Sequence, residues 1–154
     1  MTTIATPHRG SMLADVVLGL IPGPQRELID ILVADLHWSV DTLRDVSVDW
    51  VTRSFNQANR NDPRVHYQSW AGVTGLLNGD LPNAVMAPLH LIHQGLDGPN
   101  DGMVALRSAR WGRFRGTIPA DHYAEVGHPL GMNGIFQHEQ FFRDLVRELR
   151  EMGY

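Results

Sequence analysis

The order of apolar and polar residues along the chain predicts strands alternating with helices. Two short β-favouring runs, residues 2–6 and 113–120, are each stopped by a proline turn, which is typical of buried strands entering loops. A third strand is predicted within residues 61–73, where successive side chains alternate from Val65 to Trp70 after a proline-containing turn.

Between these strands, apolar residues recur at helical spacing. Ser11 opens the apolar run 11–21 and Ser47 opens the run 47–59, and serine is a favoured N-cap. In the second run the inner face is predicted to consist of Trp50, Val51 and Phe55. The other predicted helical segments are 25–38, 82–96 (which Pro88 is expected to break or kink), 103–112 and 137–153.

The last of these segments is the most regular amphipathic helix of the chain. Gly153 follows it at the position where a left-handed cap residue belongs. The buried stripe is predicted to comprise Phe141, Phe142, Leu145, Val146, Leu149 and Met152.

Alternating strands and helices indicate the α/β class, with a parallel sheet covered by helices. The chain has 154 residues, enough for one domain with a substantial core. Three strands are few for a self-contained domain of this class. The expectation is therefore a single partial domain over residues 1–154.

Composition excludes several classes of function. A net charge of −4 with interspersed charges gives no electrostatic footprint for nucleic acid. The absence of cysteine removes disulfides and thiol nucleophiles. No apolar run reaches the roughly 20 residues of a membrane span, and the first residues do not resemble a signal peptide.

Two polar side chains stand where α/β folds carry out chemistry, on loops past the carboxyl ends of strands. Asp101 lies in a Gly/Pro/Asn turn, and His122 follows the strand 113–120. The carboxylate would fix the tautomer of the imidazole, whose other nitrogen would take a proton from a serine. Taken alone, the spacing is weak evidence for catalysis and favours a turn-forming aspartate and a surface histidine.

Four motifs strengthen the catalytic interpretation: ATPHRGS, RVHYQSWAG, PNDGMV and ADHYAEVG, in this order. Together they resemble the bacterial triacylglycerol lipases of the Pseudomonas and Burkholderia type, which are α/β-hydrolases. The resemblance spans nearly the whole chain and implies that Asp101 is the triad acid and His122 the triad base. It implies the C-terminal part of that fold, with about three parallel strands, a helical cap and a C-terminal amphipathic helix.

The family's nucleophile has no counterpart in these 154 residues. No G-x-S-x-G sequence is present. Ser11, Ser69 and Ser108 stand in a helix cap, a strand and an arginine-flanked helix. We therefore expect the serine to precede Met1, and the first strand to have an open edge where a missing N-terminal half or a second copy of the chain would pair.

The resemblance also implies a division of the chain into cap and core. Residues 12–60 would form the cap, or lid, and residues 61–154 the C-terminal core with the Asp and His loops. The cap residues expected to contact acyl chains are Met12, Leu13, Val16, Val17 and Leu20, with ordinary core packing as the alternative.

No cofactor or metal is expected. Many of these lipases hold calcium near the histidine loop, but Ala124 and His128 stand where oxygen ligands would be needed. His90 and His93 share a helical face, and their spacing does not supply the three or four convergent ligands of zinc. His8 is expected to brace the turn beneath the site.

The expected function is therefore part of a lipase or carboxylesterase that hydrolyses carboxylic esters of the triacylglycerol kind. The alternative is a catalytically inactive module, derived from a lipase, that binds lipid or protein.

Overall fold

The structure is a computed structural model that describes residues 1–20, 39–75, 84, 86–131 and 135–154. The helix predicted for residues 25–38 lies outside this part of the chain. Three strands form one parallel sheet in the order β1-β2-β3, with β1 at Thr2–Ile4, β2 at Gln68–Gly72 and β3 at Arg113–Ile118. The predicted three-stranded parallel sheet is confirmed.

The central strand β2 begins later in the sequence than the alternation of side chains predicts. It begins at Gln68 rather than Val65, and Val65 is exposed. On one side β2 pairs with β1, and on the other with β3, where the register shifts between Ser69 and Trp70. On its outer side β1 pairs with no strand in the described part of the chain.

Between β1 and β2, the described residues form three helical segments: α1 at Met12–Val17, α2 at Val40–Asp45, and α3, which runs through Val48–Trp50, Val51–Phe55 and Asn56–Ala58. The serine caps of α1 and α3 are confirmed. Ser11 accepts a hydrogen bond from the Ala14 amide, and Ser47 accepts one from the Trp50 amide.

The predicted inner face of α3 is wrong for two of its three residues. Val51 is buried, whereas Trp50 is 43% and Phe55 52% exposed. The middle of this helix is a π turn over Val51–Phe55, and the wider turn rotates Phe55 away from the apolar stripe that a regular α-helix would give.

Helix α4, Met86–Asp97, and the short helix α5, Leu106–Ala109, connect β2 to β3. Contrary to the prediction, Pro88 does not break α4. It is the third residue of the helix, where a backbone N–H has no intrahelical acceptor to lose.

The C-terminal helix α6, His138–Glu151, is confirmed, and Gly153 follows it at φ +85° with the hydrogen bonds of a Schellman cap. Its apolar stripe is narrower than predicted, because Val146 and Met152 are exposed and only Leu145 is fully buried. The helix contacts the sheet along one line. At its start the Phe141 ring packs edge-on against Trp70, and further along Glu148 forms an ion pair with Arg115 of β3.

The main core lies between α1, α2 and α4, and smaller clusters cover the two faces of the sheet. Its buried members are Leu13, Ala14, Val16, Leu43, Met86, Leu89 and Ile92. In the described part of the chain, no helix has the length and apolar character of a transmembrane span.

Candidate active site

The Asp101 carboxylate is held by the turn that follows α4. Gly98 and Gly102 adopt φ +80° and +100°, which allows the chain to reverse on either side of it. Asp101 Oδ1 accepts the amide N–H groups of Met103 and Val104 at 2.8 and 2.6 Å. The Asp101 side chain is fully buried. Because the two backbone amides occupy Oδ1, Oδ2 is the oxygen left to bind a side chain.

His122 lies four residues past the end of β3, beside that turn. Its amide donates to the Asp101 carbonyl at 3.0 Å, and its ring Nδ1 lies 2.9 Å from Asp101 Oδ2. Burial by itself would lower the pKa of His122, but the charge and hydrogen bond of Asp101 outweigh it and raise the pKa above its ordinary value. The two residues singled out in the sequence are thus in contact.

An apolar cavity of about 240 Å³ opens beside His122, whose side chain is 31% exposed. Since Nδ1 is occupied by Asp101, Nε2 is the ring nitrogen free to exchange a proton at this cavity. The other lining residues come from the β1–α1 loop, α1, α2 and the Asp101 turn: Pro7, Ser11, Leu13, Ala14, Thr42, Leu43, Val46, Met103 and Val104.

The five residues expected to contact acyl chains do not share one environment. Leu13 lines the cavity. Val16 is buried in the main core and Val17 packs against it. Met12 Sδ contacts the Arg107 guanidinium, and Leu20 is 60% exposed.

A buried carboxyl that the sequence analysis did not single out, Glu125, completes the cluster. Its Oε2 lies 3.8 Å from His122 Nδ1, and the side chain is 3% exposed. The loop fixes this position because Asp121 Oδ1 accepts the amides of Tyr123 and Ala124, which starts the 3₁₀ turn Ala124–Val126. The three-residue spacing from His122 is the signal that could have pointed to it.

Behind the Asp101 turn lies a second buried histidine. His93 is fully buried on α4, and neither ring nitrogen has a hydrogen-bond partner among the described residues. Desolvation lowers its pKa to about 4, although the nearby Asp101 charge opposes the shift. His93 is therefore neutral at physiological pH.

Ser11, Ser69 and Ser108, the serines weighed as nucleophiles, are held by structural hydrogen bonds. Ser69 Oγ is bonded to the Trp111 backbone, and Ser108 Oγ donates to the Gly10 carbonyl at 2.6 Å. Ser11 lines the cavity with His122, but its Oγ caps α1.

The same cluster brings together three side chains of metal-ligating types. Ligand atoms of Asp101, His122 and Glu125 lie within 4.8 Å of one another. Both Asp101 oxygens already accept hydrogen bonds from N–H groups, which occupy lone pairs that a metal ion would need. At the place considered for calcium, Ala124 is buried and His128 stacks on Tyr123.

His8, the residue predicted to brace the turn beneath the site, lies in the loop that follows β1. Its Nε2 lies 2.9 Å from Thr3 Oγ1, and its ring stacks on Trp111. Burial and the adjacent Arg9 charge lower the pKa of His8, which favours a neutral ring in this packing role.

Comparison with solved structures shows that this is part of an α/β-hydrolase fold. The mature form of the Bacillus licheniformis lipase BlEst2 superposes with a TM-score of 0.65 and 22% identity, over 96% of this chain and 53% of the lipase. A metagenomic carboxyl esterase superposes with a TM-score of 0.59 and 22% identity, over 80% of this chain and 36% of the esterase.

At the level of sequence, the chain is similar to triacylglycerol lipases. Triacylglycerol lipase 2 of Saccharomyces cerevisiae is 30% identical over 127 residues, which are 82% of this chain and 36% of the yeast protein. The triacylglycerol lipase of Vibrio cholerae is 26% identical, over 99% of this chain and 58% of that protein. The chain thus spans only part of the length of these relatives, and no protein-family model matches it. The comparisons support the lipase and esterase group of α/β-hydrolases.

Proposed function

We propose that this chain supplies the acid and base of a serine ester hydrolase that acts on acylglycerol-like carboxylic esters. The observation that carries the proposal is the 2.9 Å contact between His122 Nδ1 and Asp101 Oδ2 at the mouth of an apolar cavity. Lipase and esterase relatives give the substrate class, and the motif order favours the bacterial lipases of the Pseudomonas and Burkholderia type.

In this proposal each residue of the pair has one task. Asp101 keeps the proton of His122 on Nδ1 and stabilises the imidazolium. His122 Nε2 takes the proton of a serine as that serine attacks the ester carbonyl, and returns it to the departing alcohol. The acyl chain occupies the cavity lined by α1 and α2, which belong to the proposed cap, residues 12–60.

The nucleophile is proposed to come from a segment outside these 154 residues. No G-x-S-x-G sequence is present here, and Ser69 and Ser108 are committed to backbone hydrogen bonds. A segment bearing the serine would add a strand beside β1, whose outer side pairs with no described strand.

The test compares the chain by itself with the chain joined to the segment encoded directly upstream of it. Hydrolysis of p-nitrophenyl esters is measured with and without a serine-directed phosphonate, and the labelled residue is located by mass spectrometry. We expect turnover only in the joined form, lost in His122→Ala and unaffected in the Ser69→Ala control. A phosphonate adduct on a serine of this chain, with turnover, would contradict the proposal. Fatty-acid binding without hydrolysis in the joined form would favour the inactive binding module.

A further inference from the structure

Two carboxyl groups lie side by side next to His122, and their hydrogen bonding is unequal. Asp101 receives three N–H donors, from the amides of Met103 and Val104 and from the His122 ring. This is the environment of an ionised carboxylate.

Glu125 has the opposite environment. Its Oε1 is buried and makes no hydrogen bond of normal geometry, although the Gly72 backbone lies close to the carboxyl group. Its Oε2 is 3.8 Å from His122 Nδ1, beyond hydrogen-bonding distance. Among the described ion pairs, the only basic partner of Asp101 and of Glu125 is His122, and no arginine pairs with either. One imidazole cannot compensate two buried carboxylates.

We propose that Glu125 carries a proton at neutral pH and directs it at Asp101, as a positioning residue that leaves Asp101 the single charged partner of His122. This inference rests on the proposed function and deepens it. If Glu125 is neutral, the positive charge that forms on His122 is balanced by a single carboxylate, that of Asp101. It concerns the protonation of the cluster, which exists whether or not a serine is present.

The charged and polar groups that face Glu125 agree with a bound proton. The pKa of Glu125 is raised well above its ordinary value by burial, by the charge and hydrogen bond of Asp101, and by the charge of Asp121. The Gly72 backbone on β2 lowers this pKa by a smaller amount. His122 is the remaining titratable neighbour, on the same loop.

The space for Glu125 exists because residue 72 is glycine. A Cβ at Gly72 would overlap Glu125 Oε1, and would lie 2.8 Å from the Ala120 carbonyl oxygen and 2.9 Å from Asp101 Cβ. The end of β2 thus lacks a side chain at the point where the carboxyl pair is packed.

The test is NMR on the full chain with ¹³C-labelled glutamate carboxyls and ¹⁵N-labelled histidine. We expect the Glu125 carboxyl signal to titrate at a clearly higher pH than the solvent-exposed glutamates. In Glu125→Gln, which keeps a donor and adds no charge, the Nδ1–H signal and the pKa of His122 should stay as in the wild type. Glu139→Gln on the exposed face of α6 is the matched control.

Two results would overturn the inference. One is a Glu125 carboxyl that titrates together with the exposed glutamates. The other is a large fall in the pKa of His122 in Glu125→Gln, which would identify Glu125 as a charged partner. If Glu125→Gln does not fold, the wild-type carboxyl titration decides alone. Since no ester or serine enters the measurement, loss of this inference and loss of the hydrolase proposal are distinguishable.

Discussion

Asp101 and His122 are joined twice, although 21 residues separate them in the sequence. The ring Nδ1 of His122 lies 2.9 Å from Asp101 Oδ2, and the His122 amide donates to the Asp101 carbonyl at 3.0 Å. The backbone bond holds the two loops together independently of the side chains. A substitution of Asp101 that keeps the oxygen bonded to the Met103 and Val104 amides therefore tests chemistry with little effect on the position of the loops.

The first prediction concerns Asp101→Asn. The Asn side chain can still accept the Met103 and Val104 amides, but its NH₂ group would face His122 Nδ1 and force the ring proton to Nε2. We expect the opposite tautomer of His122 and a lower pKa, because the raising effect of the carboxylate is lost. Two-dimensional ¹H–¹⁵N spectra of ¹⁵N-histidine-labelled protein, from roughly pH 4 to pH 9, measure both.

In a form of the protein that includes the serine, the same substitution should reduce kcat on the order of 10³- to 10⁴-fold, as for the wrong tautomer in other triads. Asp144→Asn on the exposed side of α6 serves as control. An unchanged His122 tautomer in Asp101→Asn would contradict the assignment of the pair.

Local rules were sufficient to predict the sheet from the sequence. The Asp101–His122 pair needed more: topology placed the two loops near each other, and the resemblance to lipases implied that the two side chains act together. Short β-branched runs and proline turns identify strands, and loops at the carboxyl ends of parallel strands lie close together. Ser11 and Ser47 act as helix caps through bonds within three residues, which a sequence window contains.

Glu125 and His93 could not be assigned in the same way, because their properties arise from packing. The environment of Glu125 depends on the missing side chain at Gly72 and on contact with Asp101, which belong to other elements. For α6, the sequence periodicity defined an apolar face but not how much of that face the sheet covers. Val146, predicted to be buried, is exposed.

The second prediction uses the pH dependence of stability that His93 confers. Its pKa is about 4 in the folded chain against 6.5 when unfolded. Between these pH values His93 is protonated in the unfolded chain and neutral in the folded chain. Its contribution to the free energy of unfolding is therefore fully present above about pH 6.5 and is lost as the pH falls towards 4. We expect this histidine to account for a loss on the order of 3 kcal/mol over that window.

His93→Leu removes the titrating group and the two unpartnered nitrogens at once. Urea unfolding at several pH values should show a shallower decline below pH 6.5 in this variant than in the wild type. His138→Leu, at the start of the surface helix α6, is the control. Identical declines in wild type and His93→Leu would show that His93 is not buried as a neutral ring.

The third prediction concerns Glu125 and His122, whose folded pKa values are both raised. The native chain then holds protons that the unfolded chain has released, so stability falls as pH rises above 4.5 for Glu125 and above 6.5 for His122. In Glu125→Gln, the part of this loss of stability that begins near pH 4.5 should disappear. At neutral pH the variant should therefore be more stable than the wild type. Thermal unfolding of both proteins across this range, with Glu139→Gln beside them, measures the difference. A wild type whose stability rises through this interval relative to Glu125→Gln would contradict the prediction.

The fourth prediction separates a structural serine from a nucleophile. Ser108 Oγ donates to the Gly10 carbonyl and accepts the Arg9 amide, both in the β1–α1 loop. Ser108→Ala leaves that buried carbonyl unsatisfied and should cost about 1–3 kcal/mol of unfolding free energy. Chemical denaturation checks the loss, while the His122 NMR signals should not move. A shift of the His122 ring signals comparable to that in Asp101→Asn would instead place Ser108 in the site.

The last prediction tests whether the cavity beside His122 accepts an acyl chain. Val46 at the end of α2 lines the cavity, whereas Val40 on the same helix is 59% exposed. Octanoate, added as an acyl probe, should perturb the His122 signals at saturating concentration, because apolar burial drives its tail into the cavity. Val46→Phe adds volume at the lining and should weaken octanoate binding at least several-fold, while Val40→Phe should bind as the wild type does. The Kd is obtained from the His122 shift over a titration with octanoate. Equal affinities for the two variants would show that the acyl chain lies elsewhere, since a larger side chain in a cavity of about 240 Å³ must displace part of any ligand it holds.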